Sequence, residues 1–169
     1  MSAISKKVCM VGAFAVGKSS LVQRFVLATF SDKYITTIGV AIKKKTVPVE
    51  GDEVTLMLWD MAGEDEFAFL QTANLRGAAG MIIVIDGTRR STFEAALHIA
   101  DRIKTEVPTG PTSIIAVINK LDLSAQWEVT EDDIKTLEAR AWPVFKGSAK
   151  SGQGVQETFE LMARKVTGR

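Results

Sequence analysis

Residues 12–20 read GAFAVGKSS, with the apolar run VCMV before them and LVQRF after them. Gly12, Gly17, Lys18 and Ser19 complete the pattern G-x-x-x-x-G-K-[ST]. The flanks predict a strand over 6–11 and a helix over 18–28, the setting in which that pattern forms a phosphate loop. The glycines let backbone N–H groups turn inward and approach a polyphosphate closely, and the helix points its positive N-terminal end at the anion. Lys18 supplies a compact positive charge and Ser19 a hydroxyl able to ligate Mg²⁺. Ala15, Val16, Gly17 and Ser20 are expected to line the same cradle with their backbone, so the spacer can carry a side chain as large as Phe14 if its ring points outward.

Outward from this stretch, strand-like and helix-like segments alternate. Strands are expected over roughly 38–49 and 53–60, joined by the turn-forming EGDE, then over 81–86 (MIIVID), 113–120 (SIIAVINK) and 142–147 (WPVFKG). Residues 64–75 read as an irregular helix. Amphipathic helices are expected over 92–106, with Ser91 as cap, over 130–141, and over 155–166. Strands separated by such helices imply parallel βαβ units with right-handed crossovers. The predicted fold is therefore α/β: one domain over 1–169, with a six-stranded, mostly parallel sheet, one antiparallel edge strand and helices on both faces. Ligands of such sheets sit at the carboxyl ends of the strands. The loops after Val11, Asp60, Asp86, Lys120 and Gly147 are thus the places to look.

Composition narrows the partners. Among 169 residues, 46% are apolar and 24% charged, and 21 Lys and Arg face 20 Asp and Glu. No field of one sign argues for nucleic acid or anionic lipid, so a bound phosphate must be held by local geometry. The single cysteine, Cys9, lies in an apolar run and is read as a small buried residue. No stretch approaches the ~18 apolar residues of a membrane span, and neither MSAISKK nor MARKVTGR carries a lipidation signal. The expectation is a cytoplasmic monomer without a membrane anchor, associating with membranes only through a partner or an additional tail. His98 is read as packing or surface, Lys43, Lys44 and Lys45 as protection of an edge strand, Arg76, Arg89 and Arg90 as solvated surface, and Trp59 and Trp142 as core.

Two further loops carry chemistry. Residues 60–63 read DMAG: Asp60 can reach Mg²⁺ through a water, and Gly63 can offer its N–H to a terminal phosphate with no side chain in the way. After the strand SIIAVI come Asn119, Lys120, Leu121 and Asp122. A carboxylate there can accept both N–H donors of a guanine edge while the stem of Lys120 packs on the base, whereas adenine leaves it poorly matched.

With these motifs in order, GAFAVGKS, FSDKYITTIGV, WDMAG, NKLD and SAK, the chain resembles a small GTPase of the Ras superfamily, nearest in pattern to the Rab-like branch. The resemblance spans essentially the whole chain and implies the P-loop NTPase G-domain fold. It also implies bound GTP or GDP with Mg²⁺ and a switch that hydrolyses GTP. It places Lys18 on the outer phosphates, Ser19 and Thr37 on Mg²⁺, and Phe30 edge-on to the base. Asn119 would tie the base loop to the phosphate loop, Asp122 would read guanine, and Ser148, Ala149 and Lys150 would form the last base-contacting loop. Thr37 read from its neighbours alone is an ordinary loop threonine; only the resemblance gives it a role. Lys18, Thr37, Gly63 and Glu64 are then the residues nearest the chemistry. Effectors would engage segments near 31–45 and 63–76, and an exchange factor and an activating protein are implied.

Two positions depart from the family pattern. The residue after D-x-x-G is usually glutamine, which positions the attacking water, a role that comes with the resemblance. Here it is Glu64. An ionised carboxylate accepts a hydrogen bond from water but cannot donate one to the transferring phosphoryl group. At about 5 Å from a phosphate oxygen it meets a repulsion of roughly 3 kcal/mol at an effective dielectric near 20, before Mg²⁺ and Lys18 offset it. Phe14 stands where relatives often have glycine, in the space through which an activating protein's arginine would reach. Slow hydrolysis is therefore expected. The alternative is an adaptor or scaffold that stays loaded and hydrolyses essentially nothing. An adenine-specific P-loop ATPase or kinase is disfavoured by Asp122 and Lys150.

Overall fold

The central position of the first strand follows from its apolar run. In the computed structural model, which describes residues 3–31, 40–61 and 72–169, β1 (Ala3–Gly12) pairs in parallel with β3 (Asp52–Met61) on one side and β4 (Gly80–Asp86) on the other. Val8, Cys9, Met10 and Val11 are buried because both faces of the strand are covered. Adding β2 (Val40–Val49), β5 (Ser113–Asn119) and β6 (Val144–Lys146) gives the order β2-β3-β1-β4-β5-β6, parallel except where β2 runs against β3. The expected six-stranded α/β architecture is the one observed.

The hairpin between β2 and β3 closes through Glu50 (φ 48°) and Gly51 (φ 87°), with Val49 opposite Asp52. Two left-handed residues in succession match the twist of the strands they join. β2 is an edge strand, and Lys43 and Lys44 stand exposed on it. Lys45 instead turns inward, its Nζ donating to the Phe25 carbonyl at 2.7 Å and lying 5.0 Å from the Phe25 ring centroid.

Alternation along the buried strands makes two cores. Val8, Met10, Ile82 and Val84 face α1 (Lys18–Leu27) and α4 (Val155–Val166), where Phe25 and Phe159 stack with centroids 4.1 Å apart. Cys9, Val11, Ile83 and Ile85 face the opposite layer, which holds α2 (Arg90–Glu106) and α3 (Glu131–Glu138). Burial pushes the Cys9 thiol up to about 12, as suits a packing residue. Trp142 is buried, but Trp59 is only half-buried, with the Lys7 ammonium 3.7 Å from its ring centroid. Among the described residues no helix is long and apolar enough to cross a membrane.

One predicted cap is corrected. Ser91 lies inside α2, whose N-cap is Arg89 in extended conformation with no side-chain cap. The first N–H of the helix, that of Arg90, donates to Glu128 Oε1 at 2.9 Å, so a carboxylate from a distant loop does what the local serine was expected to do. The helix expected over 130–141 ends at Glu138, and the strand expected over 142–147 contracts to three residues. Of the segment 64–75, only the 3₁₀ turn Thr72–Leu75 falls within the described residues.

Since the chain proceeds from β1 to β3 on one side and later to β4 on the other, a crevice opens at the carboxyl end of β1. The loop 12–18 occupies that crevice.

Candidate nucleotide site

The phosphate loop is shaped by its neighbours as much as by any ligand. A Cβ on Gly12 would lie 2.5 Å from the Val84 carbonyl oxygen, and one on Gly17 (φ 102°) would lie 2.3 Å from Asn119 Nδ2. Both glycines are required because β4 and β5 press against the loop from below. Val16 is wholly buried, whereas Phe14 is exposed. Ala15 takes a left-handed φ of 62°. Lys18 is only 5% exposed and folds back over the loop, Nζ donating to the carbonyls of Gly12 at 3.1 Å and Ala13 at 3.0 Å. Helix α1 opens without a side-chain cap and without an acid in its first turn, which leaves its N-terminal end positive. Ser20 follows Ser19 in that first turn.

The Ser19 hydroxyl donates to Asp60 Oδ2, joining the start of α1 to the end of β3. Asp60 is buried. A hydroxyl and a carboxylate are hard oxygen ligands of the kind Mg²⁺ takes, so this pair fits the ion that the resemblance implies.

Asn119, at the end of β5, is the knot of the site. It is 3% exposed; its Nδ2 donates to the Val16 carbonyl at 3.0 Å and its Oδ1 accepts the Ala149 N–H at 3.2 Å. One amide thereby ties the phosphate loop, the loop after β5 and the loop after β6. Asp122 projects exposed, and its Oδ1 accepts the hydroxyl of fully buried Ser148 at 2.7 Å. Arg24 on α1 secures the same region: its Nε donates to the Ala149 carbonyl at 2.7 Å and its Nη2 to that of Lys150. Phe30 packs half-buried against the core beside α1 and α4.

Lys120 takes a left-handed φ of 72°, and its Nζ meets Asp86 Oδ2 at 2.7 Å. Asp86 ends β4 and is 0% exposed. Its Oδ1 accepts the Thr88 N–H at 2.9 Å and hydroxyl at 2.7 Å, and Arg89 Nε reaches its Oδ2 at 3.0 Å. Burial alone would raise this carboxyl, but the hydrogen bonds from Lys120, Thr88 and Arg89 outweigh it and hold the group below the usual carboxylate range. Arg89 also donates from Nη2 to the Phe14 carbonyl at 2.8 Å. Arg89, though still 40% exposed as its sequence context implied, is therefore also bound to a buried carboxylate and to the phosphate loop, and neither it nor Asp86 was among the expected site residues. A carboxylate closing the apolar run MIIVID is the signal that points to them, because a buried acid must find cations. Thr37, Gly63 and Glu64 lie outside the described residues.

The Ras family model matches residues 7–168. The chain belongs to the Ras family. It is 36% identical over 161 residues to Ras-related protein Rab-13 of Canis lupus familiaris and 34% identical over 160 residues to Ras-related protein Rab-18 of Caenorhabditis briggsae. Each alignment covers 95% of this chain and 79% of the relative's length. The protein is a GTP-binding small GTPase of the Rab-like kind, and Asn119 joins three loops of its G domain.

Proposed function

We propose that this GTPase works as a single-domain, monomeric switch that binds GTP or GDP with Mg²⁺ and hydrolyses GTP slowly. The observation that carries the reading is the Asn119 knot. It sets a loop with inward-folded Lys18 beside an exposed Asp122 carboxylate, so that one ligand with a phosphate chain and a guanine edge can meet both.

In this reading Lys18 leaves the Gly12 and Ala13 carbonyls for the outer phosphates, and the N–H groups of residues 15–20 surround the chain. Asp122 accepts from guanine, Lys120 and Phe30 flank the base, and Ser148, Ala149 and Lys150 close over it. Ser19, Thr37 and Asp60 would hold Mg²⁺. When bound, the ion neutralises charge on the terminal phosphates. Gly63 gives its N–H to the terminal phosphate, and Thr37 and Gly63 thereby gather the segments near 31–45 and 63–76 for effectors. Glu64 accepts from water without donating to the phosphoryl group, which keeps the rate low. Exposed Phe14 stands in the path of an activating protein's arginine. An exchange factor would reset the cycle, and membrane association would come through a partner or an additional tail.

The same two residues support the second reading, an adaptor that stays loaded and hydrolyses nothing. Phosphate release from pure, GTP-loaded protein over hours, with and without Mg²⁺, separates them: slow Mg²⁺-dependent release is expected, and none favours the adaptor. Glu64→Gln should raise the single-turnover rate; an unchanged or lower rate defeats the account of that position. GTP should outcompete ATP, and Asp122→Asn should weaken guanine binding.

A further inference from the structure

We propose that Arg89 is a positioning residue for the phosphate loop: by gripping the Phe14 carbonyl it aims the Ala15 N–H at the phosphate chain of the bound nucleotide. The proposal rests on the guanine-nucleotide reading above and adds to it a residue outside the family's nucleotide motifs.

A trans peptide is planar, with its C=O and N–H pointing in opposite directions. Arg89 Nη2 holds the Phe14 carbonyl at 2.8 Å, so the N–H of the same peptide unit, that of Ala15, faces away from Arg89. Ala15 follows with φ at 62°, a conformation that a residue bearing a Cβ seldom holds without support. The peptide is thus fixed from one side and strained on the other, and releasing the carbonyl gives it freedom to rotate.

The grip is itself anchored. Arg89 Nε sits on Asp86 Oδ2 at 3.0 Å, and the Arg89 backbone N–H donates to the Asp86 carbonyl at 3.0 Å, both just before α2 begins. Asp86 is 0% exposed and is braced independently by Thr88 and Lys120. A guanidinium can serve a carboxylate and a carbonyl at once because its donors form a rigid fork, whereas an ammonium acts as a point charge. The ion pair alone, with Arg89 40% exposed, would contribute little. The second contact, to the loop backbone, gives the residue its role.

The test is release of mant-GDP from full-length protein carrying R89K or R89M. R89K keeps a cation beside Asp86 and so guards against a simple folding defect. Both variants should release mant-GDP about tenfold faster than the native protein, the effect of one charge-assisted hydrogen bond. The ratio of GDP to IDP affinity should stay at the native value, because the base is read by Asp122. Native release rates in both variants, full rescue by lysine, or a collapse of the GDP-to-IDP ratio would each overturn the proposal. Failure of the native protein to bind mant-GDP would overturn the nucleotide reading as well, whereas native binding with unaltered variants would overturn this proposal alone.

Discussion

At the scale of the residue, Asn119 shows why an amide stands where an acid or a hydroxyl would fail. The site asks for a donor toward Val16 and an acceptor toward Ala149 from one buried side chain, and the amide carries them on two separate atoms, where a hydroxyl would have to offer both from a single oxygen and a carboxylate has no donor. Asn119→Ala leaves a buried carbonyl and a buried N–H without partners, a loss of about 2–3 kcal/mol in chemical denaturation. Asn119→Asp keeps the shape but turns an acceptor toward the Val16 carbonyl, and should be no more stable than the alanine variant. Equal stability of Asn119→Ala and native protein would show that the knot is not structural. Gly17 belongs to the same local problem, since any Cβ there would meet the Asn119 amide.

At the scale of the element, helices α1, α2 and α3 solve their N-termini differently. Helix α3 carries a capping box: Thr130 Oγ1 accepts the Asp133 N–H at 3.2 Å, and Asp133 Oδ2 accepts the Thr130 N–H at 3.0 Å. Glu131, Asp132 and Asp133 put negative charge in its first turn, favourable to the helix dipole. Thr130→Ala should cost about 1 kcal/mol, lowering the melting temperature by roughly 2–4 °C, and Thr130→Ser should restore most of it. A melting temperature unmoved by the alanine change would mean that tertiary packing alone holds α3. The cap of α2 comes from Glu128, across the loop, and no reading of residues 89–92 in isolation finds it. Helix α1 has neither device, which is the arrangement that leaves N–H groups for an anion.

At the scale of the whole molecule, Asp86 joins sheet, phosphate loop and base loop through one buried charge. Its carboxyl is held below the ordinary range, so the stabilisation it provides is fully present above the unfolded pKa, near 3.9, and is lost as pH falls through the lower folded value. Asp133, hydrogen-bonded by Arg90 and by Thr130, shifts in the same direction. Stability should therefore be level from pH 8 to about pH 5 and fall below about pH 4. Asp86→Asn should lower neutral stability by about 1–2 kcal/mol, the loss of charge-assisted hydrogen bonds from the part-exposed Arg89 and Lys120, and should make the acid limb shallower. A variant whose acid limb matches the native one would show that other carboxylates govern acid unfolding.

The amino-acid sequence by itself determined the strands, the helices and the motif positions, because periodicity, glycine and a lysine after glycine act over a few residues. Buried β1 and β4, the hairpin at Glu50 and Gly51, and the loop 12–18 were all legible from that local pattern. Only the tertiary structure decided that Lys18 folds onto its own loop, that the Asn119 tie expected between base loop and phosphate loop extends to the loop after β6, and that Arg89 reaches Phe14 across 75 positions of sequence. These are contacts between loops that the parallel sheet brings to one end, and sequence spacing carries no record of which side chain a distant carbonyl will face. The loop GAFAVGKSS announces its chemistry locally; how firmly Ala15 and Phe14 are held depends on a buried aspartate at the end of a different strand.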